Sequence, residues 1–133
     1  MQSAPRWLRA FGPALLYMVL IWALSSFPIQ VDLSRVPLRD KGAHFIEYGT
    51  LSVLLTHALR TTSPRRSGPA IWLTAALITL VWGAIDEIHQ AFVPGRSSDV
   101  FDLVADGCGA AVGSLLYLLL RHKRERPLPT TRP

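Results

Sequence analysis

Residues 70–90 read AIWLTAALITLVWGAIDEIHQ, an apolar run that closes on Asp86-Glu87-Ile88-His89-Gln90. An α-helix rises about 1.5 Å per residue, so about 20 residues cross the hydrocarbon of a bilayer. Ionisable groups at the end of such a run are costly beside lipid and mark a functional site by default. The chain then turns at Pro94-Gly95-Arg96 and sets Asp99, Asp102 and Asp106 at the mouth of a further apolar run. Two membrane-length segments therefore bring their polar ends to one place.

Working outward, four apolar stretches emerge, at about 10–27, 43–59, 69–91 and 100–120. The second is interrupted by His44, Glu47 and His57 and needs the other helices to shelter it. The expected fold is all-α: a polytopic membrane protein of four transmembrane helices forming one domain over residues 1–122, with a basic, proline-containing tail over 123–133. The first stretch reads as a retained span rather than a cleaved leader, because its apolar run is long for a signal peptide. Pro69 suits the first turn of the third helix.

Composition agrees. Half of the 133 residues are hydrophobic and 17% are charged, against about 25% charged in soluble domains. The net charge of +5 does not point to nucleic acid, because the basic residues flank apolar runs and no aromatic residues interleave with them. Arg6, Arg9, Arg60, Arg65, Arg66, Arg121, Lys123, Arg124, Arg126 and Arg132 fall on one side of the four spans. Only Arg35, Arg39, Lys41 and Arg96 fall on the other. The positive-inside rule then places both termini in the cytoplasm and the polar helix ends on the outer face of the cell membrane. The single cysteine, Cys108, excludes an intramolecular disulfide and reads as a small packing residue.

Helix spacing groups the polar residues. Asp40, His44 and Glu47 share a face of the second helix, as do Lys41, His44 and Tyr48. Asp40 is placed to cap that helix, and Ser98 or Asp99 to cap the fourth. Asp86, His89 and Gln90 share a face of the third helix, while Glu87 points elsewhere. On the fourth, Asp99, Asp102 and Asp106 continue into Gly109 and Gly113. Ala105, Gly109 and Gly113 form a small-xxx-small stripe that permits close helix approach, so the acidic face turns into the bundle.

Three strings combine: Asp40-Lys41-x-x-His44-Phe45-x-x-Tyr48, Asp86-Glu87-x-His89-Gln90-x-Phe92-x-Pro94-x-Arg96 and Asp102-x-x-x-Asp106-x-x-Gly109-x-x-x-Gly113. Together they resemble the VanZ-like membrane family. The family often has Asn where this chain has Asp106. The resemblance implies a small polytopic membrane protein, in a family named for a member associated with resistance to the glycopeptide teicoplanin.

Three functional readings follow. In the first, an outer-face site binds a lipid-linked cell-wall precursor or a phospholipid headgroup, with Lys41, Tyr48, Gln90 and Arg96 as ligand-binding residues; a guanidinium and an ammonium suit phosphate or carboxylate. In the second, the protein is a hydrolase or transferase acting on envelope lipid. His44, Glu47, His89 and Asp86 are then the acid–base candidates, and Asp86, Glu87 and Asp102 are the candidate oxygen ligands of a divalent metal. Zn²⁺ enters if an imidazole joins them. In the third, the polar residues only hold the helices together, with Asp40, Asp99, Asp106, Gly109 and Gly113 in capping or packing roles. The lipid bilayer is the expected partner and a second copy of the chain a candidate one; a transporter is disfavoured, since four short helices leave little room for a path unless the protein oligomerises.

Overall fold

The computed structural model describes residues 4–27 and 39–125. They form four helices: α1 (Arg6–Ser25), α2 (Arg39–Thr62), α3 (Gly68–Gln90) and α4 (Val100–Glu125). Strands are absent among the described residues. Three of the helices, α1, α3 and α4, are long and apolar enough to cross a membrane. Arg35 and the tail beyond Glu125 lie outside the described residues.

The helix bounds have local causes. Ser67 caps α3, its side chain accepting from Ala70 N, and Pro69 sits in the first turn, where a missing N–H costs nothing. Asp99 precedes α4 and its Oδ1 accepts from Phe101 N at 2.9 Å. Between the two helices, Arg96 N bonds to Val93 O at 3.1 Å, with Pro94 second and Gly95 third in the turn. Gly95 has φ 82°. Proline second and a positive φ third are the requirements of a type II turn, which glycine meets without strain.

Several bounds differ from those read in the sequence. α1 starts a turn earlier, directly after Pro5, and contains Pro13. Asp40 lies inside the first turn of α2 rather than ahead of it, so it faces the positive end of the helix dipole without being the cap. α4 continues through Arg121–Arg124 into the expected tail, because cations in the last turn compensate the helix dipole. Cys108 is exposed on α4 rather than packed.

The helices pack so that α2 touches all three others, most extensively α4, while α1 and α4 each touch α2 and α3 but not one another. The surface is inverted relative to a soluble bundle: Leu16, Val19, Leu77, Val81, Leu116 and Leu120 are exposed. From α2 only Phe45 and Ile46 appear among the exposed large apolar residues. α2 is thus the sheltered helix, which is why it carries polar residues along its length. Its seam with α4 is built from small residues. A Cβ added at Gly109 would collide with the Phe45 carbonyl oxygen, and one at Gly113 with that of Gly49. Close approach then lets Ser52 donate to Ala110 O at 2.7 Å and Thr56 to Ser114 Oγ at 2.8 Å. The apolar core, Ala14, Ile21, Tyr48, Leu51, Leu55, Leu59, Ile71 and Ala75, joins α1, α2 and α3.

Candidate functional site

The antiparallel packing gathers the C-terminal ends of α1 and α3 and the N-terminal ends of α2 and α4. Here lie the buried His44, Asp86, Glu87, Gln90, Asp102 and Asp106. They divide into three groups.

The first is a clamp centred on Asp86. Its Oδ1 accepts from Ser25 Oγ at 2.6 Å, and its Oδ2 from Gln90 Nε2 at 2.8 Å and Tyr48 OH at 3.1 Å. One carboxylate thereby ties α1, α2 and α3. His89 stacks on Trp22 with ring centroids 3.9 Å apart, and its Nδ1 lies 3.4 Å from Ser25 Oγ.

The second group is a rim of cations. Lys41 Nζ bridges Asp99 at 2.7 Å and Asp102 at 2.8 Å, joining α2 to the start of α4. Asp99, ahead of α4, is held below the usual carboxylate range by the Lys41 ammonium and the Phe101 N–H. Arg96 pairs with neither Asp86 nor Asp99. Its Nη2 and Nε donate to Leu24 O at 2.9 Å and Phe27 O at 3.0 Å, satisfying carbonyls that the end of α1 leaves over.

The third group lies deeper. His44 Nδ1 is 3.0 Å from Asp106 Oδ1. Ligand-type atoms of His44, Glu87 and Asp106 all lie within 4.8 Å of one another. Glu87 Oε2 accepts from Ser98 Oγ and Asp99 N, both at 3.0 Å. The other oxygens, Glu87 Oε1 and Asp106 Oδ2, have no hydrogen-bond partner among the described residues. Asp106 fits only because residue 83 is glycine: a Cβ there would stand 2.7 Å from Asp106 Oδ2.

The three carboxylates read from the sequence as candidate metal ligands do not come together: Asp86 lies in the clamp and Asp102 beside Lys41, while Glu87 lies beside His44 and Asp106. The reason is angular, since Asp86 and Glu87 are adjacent on a helix and point about 100° apart. Glu47 is half-buried on the α1 side of α2, near Tyr17, and His89 belongs with Trp22. Gly109 and Gly113 lie at the α2–α4 seam. Sequence reasoning missed the contribution of α1 to the site: Ser25 and Trp22 complete it, and the signal was Trp22 and Ser25-Ser26 at the end of an apolar run. It also missed Gly83 and Ser98 as supports of Asp106 and Glu87.

Residues 20–121 match the family described as VanZ/LLP1. The chain belongs to this family. The matched stretch contains every residue of the three groups, from Trp22 to Asp106. Family membership and three membrane-length helices mark a VanZ-like membrane protein. An uncharacterized protein of Schizosaccharomyces pombe (strain 972 / ATCC 24843) is 35% identical to this VanZ/LLP1 chain over 89 residues, which is 67% of the chain and 52% of the relative. The chain thus spans about half the length of that relative. No solved structure matches it.

Proposed function

We propose that the protein is a four-span protein of the cell envelope, with both termini cytoplasmic, that binds an anionic, lipid-linked envelope ligand at the outer rim of its polar site and thereby affects susceptibility to teicoplanin. The supporting observation is spare donor capacity at the rim. Lys41 is one-third exposed and contacts two carboxylate oxygens, leaving one N–H of its three. Arg96, at the same rim, commits two of its donors to carbonyls and has three left. A phosphate or carboxylate headgroup arriving from the lipid would find an uncommitted N–H on either residue without displacing its present partners.

The test is binding of the purified protein to vesicles containing a polyprenyl phosphate, alongside teicoplanin susceptibility of expressing cells. Charge-assisted hydrogen bonds contribute about 1.5–3 kcal/mol, so Lys41→Met and Arg96→Gln should each weaken binding about tenfold or more and lower protection at normal protein levels. Unchanged binding and susceptibility in both variants would overturn this reading. A C-terminal reporter active only in the cytoplasm tests the orientation.

A second reading, hydrolysis or group transfer on envelope lipid, is favoured by one observation, the buried His44–Asp106 pair. An imidazole oriented by a carboxylate is suited to general acid–base work. Phosphate release from polyprenyl phosphates, lost in His44→Gln, is its measurement.

A further inference from the structure

The geometry points to a cation site at His44, Glu87 and Asp106, taking one divalent transition-metal ion of the Zn²⁺ class. This inference stands apart from the headgroup reading, since it concerns the interior of the bundle rather than its rim.

Charge is the first ground. The polar end holds Asp40, Glu47, Asp86, Glu87, Asp99, Asp102 and Asp106, and Lys41 and Arg96 are its permanent cations among the described side chains. Lys41 pairs with Asp99 and Asp102, and Arg96 donates to carbonyl oxygens, so neither offsets Glu87 or Asp106. Among the described residues no lysine or arginine contacts Glu87 or Asp106; the one potential cation beside them is the His44 imidazole, 3.0 Å from Asp106, which cannot offset two carboxylates. Both are enclosed, with Glu87 6% and Asp106 0% exposed. Buried carboxylates are ordinarily paired or bound to a metal.

The second ground is the pair of idle oxygens. Glu87 Oε1 and Asp106 Oδ2 lack any hydrogen-bond partner among the described residues, although buried polar atoms nearly always have one. Both belong to the group whose ligand atoms already converge within 4.8 Å. A four-coordinate zinc with ligands at about 2.1 Å sets neighbouring ligand atoms about 3.4 Å apart. The 3.0 Å between His44 Nδ1 and Asp106 Oδ1 is a hydrogen-bond distance that loading would open towards that spacing, and the 4.8 Å limit of the group leaves Glu87 within a small side-chain adjustment of it.

Supporting contacts and ligand chemistry complete the case. Ser98 Oγ and Asp99 N hold Glu87 Oε2 and so orient the carboxylate, as outer-shell donors do in metal sites. A cleft of about 230 Å³ opens beside the group, lined by Glu87, Ser98 and Asp99 on its polar side; it touches Glu87 but neither His44 nor Asp106. The ligand chemistry selects the metal class. An imidazole with two carboxylates suits Zn²⁺, whereas Mg²⁺ and Ca²⁺ favour all-oxygen sets. Three protein ligands leave a fourth position for water or a headgroup oxygen.

The full chain, purified in detergent and stripped with chelator, is titrated with ZnCl₂ alone, with bound metal counted by elemental analysis and thermal unfolding followed in parallel. The site predicts close to one Zn²⁺ per chain and a rise in Tm on loading. Glu87→Gln and the near-isosteric Asp106→Asn should each weaken binding at least tenfold, while His57→Gln, at the opposite end of α2, leaves it unchanged. Mn²⁺ or Co²⁺ binding that is lost in the same variants also upholds the site. Absence of divalent-ion binding by the unaltered protein overturns it, whatever the variants do. Binding that survives Asp106→Asn but falls with His57→Gln likewise overturns it.

Discussion

Replacing Asp86 with alanine tests whether one carboxylate holds three helices together. The side chain is 2% exposed and accepts three hydrogen bonds, from Ser25 of α1, Tyr48 of α2 and Gln90 of α3. After the change Ser25 keeps a fallback, because its hydroxyl also reaches Trp22 O at 3.0 Å. Tyr48, 0% exposed, and Gln90, 4% exposed, have no second side-chain hydrogen bond among the described residues and become buried donors without acceptors there. Two of the three bonds, from Ser25 and Tyr48, are interhelical, and such bonds in membranes average only about 0.6 kcal/mol, which sets a floor of about 1 kcal/mol. Two orphaned donors at about 1–3 kcal/mol each raise the ceiling to about 6 kcal/mol. Asp86→Asn, which keeps an acceptor but turns an amide donor towards other donors, should fall between wild type and Asp86→Ala. The assay is reversible unfolding in mixed micelles followed by far-ultraviolet circular dichroism. A double-mutant cycle of Asp86→Ala with Tyr48→Phe should give a coupling of about 1 kcal/mol. A loss below about 0.5 kcal/mol together with zero coupling would refute the reasoning, since an acceptor of three buried bonds cannot be idle.

Other outcomes follow from the same contacts. Gly113→Val should lower stability by about 1–3 kcal/mol, as overpacking does, because the new side chain meets the backbone of Gly49; an unchanged Tm in micelles would show that the α2–α4 seam is loose. Gly83→Ala should weaken divalent-ion binding although no ligand is removed, because its Cβ would stand 2.7 Å from Asp106 Oδ2; unchanged metal stoichiometry and affinity would count against that placement. The Lys41–Asp99 pair also sets a pH dependence. Asp99 is depressed in the folded protein, so its contribution is fully present above the ordinary Asp value of about 3.9 and is lost as pH falls through the lower folded value. The Tm difference between wild type and Asp99→Asn should therefore be steady from neutral pH to about 4.5 and shrink below it, and a difference that grows on acidification would reverse the sign.

Much of the fold was legible because lipid imposes strict demands on sequence. Residues 70–90 had to be a helix of membrane length, since an apolar run of that size must satisfy its backbone internally. α1 and α4 were legible on the same ground, and the stripe Ala105, Gly109, Gly113 marked the close face of α4. α2 was the difficult helix. Its polar residues weaken the hydropathy signal because the other helices, not lipid, surround it. Gly49, Ser52 and Thr56 record that surrounding at helical spacing, yet they acquire meaning only once Gly109, Ala110 and Ser114 face them.

By itself the sequence determined that polar residues of α2, α3 and α4 collect at one end of a bundle, because helical periodicity and the order of the chain dictate which ends and faces can meet. Only the tertiary structure decided how those residues divide. Periodicity states the direction of a side chain about its own helix axis and says nothing of the rotation of one helix against another. That rotation gives Asp86 to Ser25, Tyr48 and Gln90, gives Asp102 to Lys41, and leaves Glu87 and Asp106 beside His44, each with one buried oxygen lacking a hydrogen bond among the described residues. The packing that sets it depends on contacts between distant glycines and backbone carbonyls, a matter of tenths of an ångström that no linear spacing encodes.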